Sequence, residues 1–341
     1  MRVLNTVYLT EPGLRVTARR SSIEVRREGA LVARFPLEGI DGLILGARCA
    51  TSNELLARCC ARGIRVAQLG YGGRLKFAVQ GPTRGNVLLR VRQYELTQNR
   101  GNRLKIAQSF VAGKLQNQRR LVMRWSWDAP LSLRGLLVRE RERIDEQIRS
   151  IQTARDGDHL RGIEGAAARS YFTAFGAILN QRLPDFTFLS RTRRPPLDPV
   201  NALLSYLSGL GVSEAIGALD AVGLDPQIGF LHDLRPGRPS LALDLVEEYR
   251  PVLDRFGLKL LTLKSLTKEH FLRLPTGAYR LTDDARKFLL TKYEEFRSEE
   301  LFHPLLKRPI VRSNLVLIQS TLLARSIRGD LSLYPPFVME P

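Results

Sequence analysis

Three cysteines in 341 residues, Cys49, Cys59 and Cys60, are too few and too crowded for a disulfide framework, and their spacing offers neither a CxxC pair nor a zinc site. They fit a reducing, cytoplasmic compartment. No uninterrupted apolar run approaches the roughly 18 residues that span a bilayer, which argues against a membrane partner. The apolar start meets Glu11, Pro12 and Gly13 too soon for a secretory signal. Acidic side chains are also scarce: 34 Asp and Glu face 53 Lys and Arg, a formal net charge of +19. That balance disfavours a neutral small-molecule partner and favours a polyanion. The shortage is regional, with 35 basic against 17 acidic side chains in residues 1–200 and 18 against 17 in residues 201–341. Internal repeats and low-complexity segments are absent from the sequence.

What is present fits two domains, at roughly 150 residues each. Residues 3–9, 14–17, 23–26, 31–35 and 40–45 read as short strands punctuated by glycine and proline. A helix capped by Ser52 or Asn53 runs to Gly63, followed by a strand over 64–69 and a hairpin turn at Tyr71, Gly72 and Gly73 into 75–79. The expected architecture is two-domain α+β. It has a small β-rich amino-terminal domain over 1–80, a linker over 81–86 where the apolar period lengthens from two to 3.6, and a larger all-α domain over 87–341. One or two helices are expected over 87–125, with Leu89, Tyr94, Leu104, Ala107, Val111 and Leu115 inward. Another spans 133–151, where Arg139-Glu-Arg-Glu-Arg reads as a solvated face with i,i+4 pairs. Asp198 and Pro199 open a further helix that Gly209 and Gly211 end, and a short one follows over 213–223. Three more are expected over 256–327, ahead of a frayed tail at Pro335 and Pro336.

The chemistry concentrates in residues 228–251, where His232 stands just ahead of a predicted helix carrying Asp244, Glu247 and Glu248. Asp244 and Glu247 are three apart and share one helical face, whereas Glu248 is displaced by about a further 100°. Upstream, Gly162-Ile-Glu-Gly-Ala-Ala-Ala-Arg-Ser-Tyr-Phe isolates Glu164 among small residues on a helix. Carboxylates and an imidazole meeting from two elements can hold a divalent metal. Taken singly, each has a plainer role: Glu164 as an acid at a helix start, His232 as a satisfied core histidine, Asp244 and Glu247 as solvated acids. His159, His270 and His303 lack such context and default to structural positions, as Tyr171 and Tyr206 default to packing.

Four motifs occur in order: the Glu164 segment, Arg191-Thr-Arg-Arg-Pro-Pro-Leu-Asp-Pro-Val-Asn-Ala, Gly223-Leu-Asp-Pro-Gln-Ile-Gly-Phe-Leu-His, and Ser240-Leu-Ala-Leu-Asp-Leu-Val-Glu-Glu-Tyr-Arg-Pro. Through them the chain resembles, over nearly its full length, the CRISPR-associated integrase of spacer acquisition. The resemblance implies a metal-dependent DNA integrase and endonuclease that inserts short DNA segments into a CRISPR repeat by 3′-hydroxyl attack. It also implies a homodimer formed mainly through the amino-terminal domains and a small ferredoxin-like companion protein. Double-stranded DNA with 3′-hydroxyl ends and CRISPR repeat DNA would be the nucleic-acid partners. Carried over by position, the metal-binding and catalytic roles fall on Glu164, His232 and Glu247, with Asp244 as the accompanying catalytic acid and Mg²⁺ or Mn²⁺ as cofactor. Phosphate contacts are expected from Arg191, Arg193 and Arg194 on a proline-stiffened loop, then from Arg235 and Arg238 near His232. The competing expectations are a structure-specific nuclease acting by hydrolysis and a non-catalytic DNA-binding scaffold.

Overall fold

The first 80 positions alternate apolar and polar side chains between short turns, and they fold accordingly into β1 (Thr6–Leu9), β2 (Leu14–Arg19), β3 (Ser22–Arg27), β4 (Ala30–Pro36), β5 (Gly42–Leu45), β6 (Ala50–Thr51), β7 (Arg65–Leu69) and β8 (Leu75–Val79). The two-residue β6 carries no sequence signal. The structure is a computed structural model describing residues 6–40, 42–70, 75–79, 81 and 87–340. The expected turn at Tyr71, Gly72 and Gly73 and the linker beyond Gly81 lie outside the described residues. One sheet has the order β1-β5-β7-β8, parallel except at β8; the other runs β4-β3-β2-β6, antiparallel except between β2 and β6. Their apolar faces share a core containing Val16, Ile23, Val25, Leu43, Leu45 and Val66. Helix α1 (Asn53–Ala61) adds Leu55 and Cys59 to that core, and Ser52 caps it by accepting from Leu55 N at 3.2 Å.

The chain divides into two units by segments. Met1–Arg84, Thr282–Glu299 and Val311–Asn314 form the first; Gly85–Leu281, Glu300–Ile310 and Leu315–Pro341 form the second. The second unit contains α2 (Val87–Gln98), α3 (Arg100–Asp128), α4 (Leu131–Ser150), α5 (Gly157–Arg182), α6 (Pro199–Val222), α7 (Ser240–Glu247) and α8 (Arg250–Thr262). The hairpin of β9 (Phe271–Arg273) and β10 (Tyr279–Leu281) precedes α9 (Asp283–Ser298), which belongs to the first unit. A second pair, β11 (Glu300–His303) and β12 (Arg308–Val311), precedes α10 (Leu315–Arg328). The carboxy-terminal half is therefore helical but not all-α.

Several expectations are corrected by packing. Helix α6 is continuous through Gly209 and Gly211, because Asp198 caps its start through Asn201 N and the left-handed Gly223 closes its end. Gly211 serves contact with α8: a Cβ there would lie 3.0 Å from Leu253 Cδ1. By length and composition α6 is apolar enough to cross a membrane although polar residues interrupt it, and 56% of its most apolar window is buried inside the fold. Leu89, Ala107, Val111 and Leu115 face inward as expected, whereas Leu104 is half-buried and Tyr94 is exposed, donating to Asp225 Oδ2 at 3.0 Å. In the charge run on α4, Glu140 is buried and pairs with Arg143 at i,i+3 spacing. The tail is docked: Tyr334 and Phe337 are buried, and Asn117 donates to Phe337 O while accepting from Met339 N.

Candidate active site

Asp244 organises the loop ahead of α7. Wholly buried, its carboxylate accepts from Phe230 N (2.6 Å), Leu231 N (2.9 Å), His232 N (2.9 Å) and His232 Nδ1 (2.7 Å). Because Asp244 already accepts three backbone donors as a carboxylate, Nδ1 is the donor in the fourth contact, and in the neutral imidazole this leaves the lone pair on Nε2. His232 Nε2 lies 4.0 Å from Glu247 Oε1. Gly229 permits this turn, since a Cβ there would meet Asp244 Oδ2 at 2.8 Å and the Ser240 carbonyl carbon at 2.7 Å. Gly229→Ala is expected to cost about 1–3 kcal/mol in chemical denaturation and to loosen His232. An unchanged unfolding midpoint would show that the loop yields freely.

Glu247, the last residue of α7, projects into a charged cluster, while neighbouring Glu248 projects away from it. Glu247 Oε1 accepts from Arg250 Nε at 2.8 Å, and Oε2 lies 2.6 Å from Lys114 Nζ. The Lys114 contact lacks the alignment of a hydrogen bond, so Oε2 is a buried oxygen with no hydrogen-bond partner. Burial alone would favour the neutral acid, but Arg250, Lys114 and His232 outweigh it and hold Glu247 ionised well below the usual carboxylate range. Glu164 enters from α5, its Oε1 accepting from the same Lys114 Nζ. Lys114 is 3% exposed; burial works against its charge, and Glu247 and Glu164 more than restore it. Lys114 reaches the acids because α3 passes close to α7 at Gly113, where a Cβ would lie 3.2 Å from Glu248 Cβ.

Glu164, Glu247 and His232 thus come to one place, with Lys114 standing between the two carboxylates. Among the described residues no three His, Cys, Asp or Glu side chains are arranged to share a metal ion as they stand. The donors nevertheless suit a hard divalent cation: two carboxylates, one with a buried oxygen lacking a hydrogen bond, and an imidazole nitrogen oriented by a buried acid. Asp244 is the orienting acid, since His232 and the loop backbone engage both of its oxygens.

Glu248 belongs to the tail anchor. It accepts from Tyr334 Oη (2.6 Å), Phe337 N (2.7 Å) and Gln319 Nε2 (3.4 Å), and burial pushes its carboxyl up to about 8. Beside the cluster lies a cleft of about 350 Å³, counting space open to solvent, lined by Lys114, Gln118, Arg191, Arg193, Arg250 and Asp254 among others. Arg191 is turned inward, donating to Thr192 O, Asn201 Oδ1 and Ser205 Oγ, and burial lowers it to about 10. Arg193, Arg194 and Arg235 are exposed, and Arg238 is half-buried. Tyr171 is buried against Trp125 and donates to Asp254, whose carboxyl burial raises to about 6. His159, His270 and His303 accept or share local hydrogen bonds. Sequence reasoning missed Lys114, Arg250 and Asp254. Arg250 and Asp254 lie within or just beyond the motif, whereas nothing near Lys114 in the sequence marks it.

Fold and site together define a two-unit α+β protein with a partly buried acid–imidazole centre beside a basic cleft. The profile of the family described as CRISPR associated protein Cas1 matches residues 7–295. A CRISPR-associated endonuclease Cas1 of Rhodospirillum rubrum is 40% identical over 343 residues, covering 98% of both chains. One from Chlorobaculum tepidum is 38% identical over 337 residues, again covering 98% of each. Among solved structures, a casposase bound to integration product superposes with a TM-score of 0.81 at 19% identity, over 97% of this chain and 93% of the other. A Cas1 protein from Thermotoga maritima gives 0.80 at 21% identity, over 96% and 97%. The chain belongs to the CRISPR-associated Cas1 family.

Proposed function

We propose that the protein is a metal-dependent DNA integrase and endonuclease that inserts short DNA segments into a CRISPR repeat by attack of a 3′-hydroxyl on a phosphodiester. The observation that carries this is the meeting of Glu164, Glu247 and the lone-pair face of His232 in a chain of this family. Support also comes from relatives named endonucleases and from the casposase, solved with an integration product. Glu164, Glu247 and His232 would hold Mg²⁺ or Mn²⁺. When bound, the ion would supply charge stabilisation at the scissile phosphate. Asp244 fixes the imidazole tautomer and aim, so His232 presents Nε2 without reorganisation. Arg250 keeps Glu247 ionised and aimed inward. Arg193, Arg194, Arg235 and Arg238 contribute phosphate contacts, as does Arg191 to the extent that its inward hydrogen bonds leave donors over. Double-stranded DNA with 3′-hydroxyl ends and a CRISPR repeat are the substrates. The protein works in the cytoplasm as a homodimer with a small ferredoxin-like companion. A solved Cas6-RT-Cas1–Cas2 complex contains a region of this fold, TM-score 0.83 over all of this chain and 37% of the other.

The test incubates the protein and its companion with short duplexes and a supercoiled plasmid bearing the repeat. Covalent joining that requires both a 3′-hydroxyl and Mg²⁺ or Mn²⁺, and that is lost in Glu164→Ala and His232→Ala with DNA binding retained, is the expected result. Hydrolysis without joining would leave a nuclease, and full activity in both variants would leave a scaffold.

A further inference from the structure

Lys114 is an unusual neighbour for a metal site. Its side chain is 3% exposed in the middle of α3, and its ammonium pairs with Glu164 and Glu247 at once. The ammonium thereby joins Glu164 on α5 to Glu247 on α7 across α3. The formal charges of these four side chains already cancel: the carboxylates of Glu164 and Glu247 face Lys114 and Arg250. A divalent ion brought to the same oxygens would stand against a like charge held a few ångströms away in a largely buried cluster. Lys114 also lines the adjoining cleft, which gives its ammonium a direction in which to move away from the acids. Its flexible four-carbon stem can move the charge while α3 stays packed.

Resting on the metal-dependent reading above, we propose that Lys114 is the site's resident counter-cation: it holds Glu164 and Glu247 together in the metal-free protein, and divalent metal binds only as its ammonium withdraws into the adjoining cleft. Lys114 thereby sets the apparent metal affinity, keeping the centre closed at low metal concentration. Its withdrawal adds a positive charge to the cleft as the metal arrives. In the metal-free state Lys114 is a stand-in for the ion.

The experiment compares Mn²⁺ binding by the full-length wild type and Lys114→Met, using calorimetry and the electron spin resonance signal of free Mn²⁺, without DNA. The variant is expected to bind at least about tenfold more tightly, the opposite of what loss of a merely structural lysine would give. It should also be more strongly stabilised by Mn²⁺ in thermal unfolding. Equal or weaker affinity in a folded variant overturns the proposal while leaving the metal site in place. Absence of Mn²⁺ binding in both proteins overturns the metal reading and this proposal with it. Should Lys114→Met fail to fold, wild-type crystals soaked in Mn²⁺ decide: Lys114 Nζ out of ion-pair range of both carboxylates supports withdrawal, and an unmoved Nζ beside a bound ion overturns it.

Discussion

Glu247→Ala is expected to lower stability by about 3–5 kcal/mol in urea unfolding at neutral pH, as well as abolishing phosphodiester chemistry. The carboxylate is buried between two cations, Lys114 at 2.6 Å and Arg250 at 2.8 Å, and its removal leaves Arg250 without its paired acid and Lys114 with Glu164 alone. Glu164, 24% exposed, shares only Lys114 of these partners. Glu164→Ala should therefore lose activity with a much smaller loss of stability. The pair of variants separates the two contributions of the cluster, charge balance within the fold and ligand supply to the reaction. A Glu247→Ala protein within about 1 kcal/mol of wild type would show that Lys114 and Arg250 find other partners, and the cluster would lose its role in holding α3, α7 and α8 together.

Stability should also fall as pH rises between about 5 and 8, through Glu248. Burial raises its carboxyl from 4.5 to about 8, so within that window the unfolded chain has released the proton while the folded protein retains it. The folded state then binds more protons, and stability declines by up to about 1.4 kcal/mol per pH unit, on the order of 5 kcal/mol across the window. Below the unfolded value both states are protonated and the contribution is complete; above the folded value its loss is complete. Glu248→Gln keeps an oxygen for the Phe337 N–H and cannot ionise, so its stability should vary less with pH and exceed that of wild type near pH 8. Denaturation curves at several pH values check this. Parallel pH dependence in the two proteins would mean that Glu248 is ionised in the fold, stabilised by its three donors.

The local signals that survived into the structure are those whose physics is local. Ser52, and Asp198 with Pro199, cap helices because a side-chain oxygen meets a free N–H two or three residues on, whatever surrounds it. The three-residue spacing of Asp244 and Glu247 and the displacement of Glu248 likewise follow from helix geometry. Gly209 and Gly211 misled because a glycine in sequence does not reveal whether it ends a helix or admits a neighbour, and Leu253 decides that for Gly211. The tail misled for a similar reason: Pro335 and Pro336 argue against regular structure, yet Tyr334 and Phe337 beside them fill the space behind α7.

By itself the sequence determined the β-rich to helical order, the regional excess of positive charge, and Glu164, His232 and Glu247 as the residues to watch. These depend on periodicity, composition and ordered motifs, all of which are linear. Tertiary structure alone decided that Asp244 orients His232, that Glu248 anchors the tail, and that a lysine 50 residues before Glu164 sits between the two acids. Those outcomes depend on which buried groups come within a few ångströms of one another. Once water is excluded, electrostatic energy is set by such distances and not by separation along the chain.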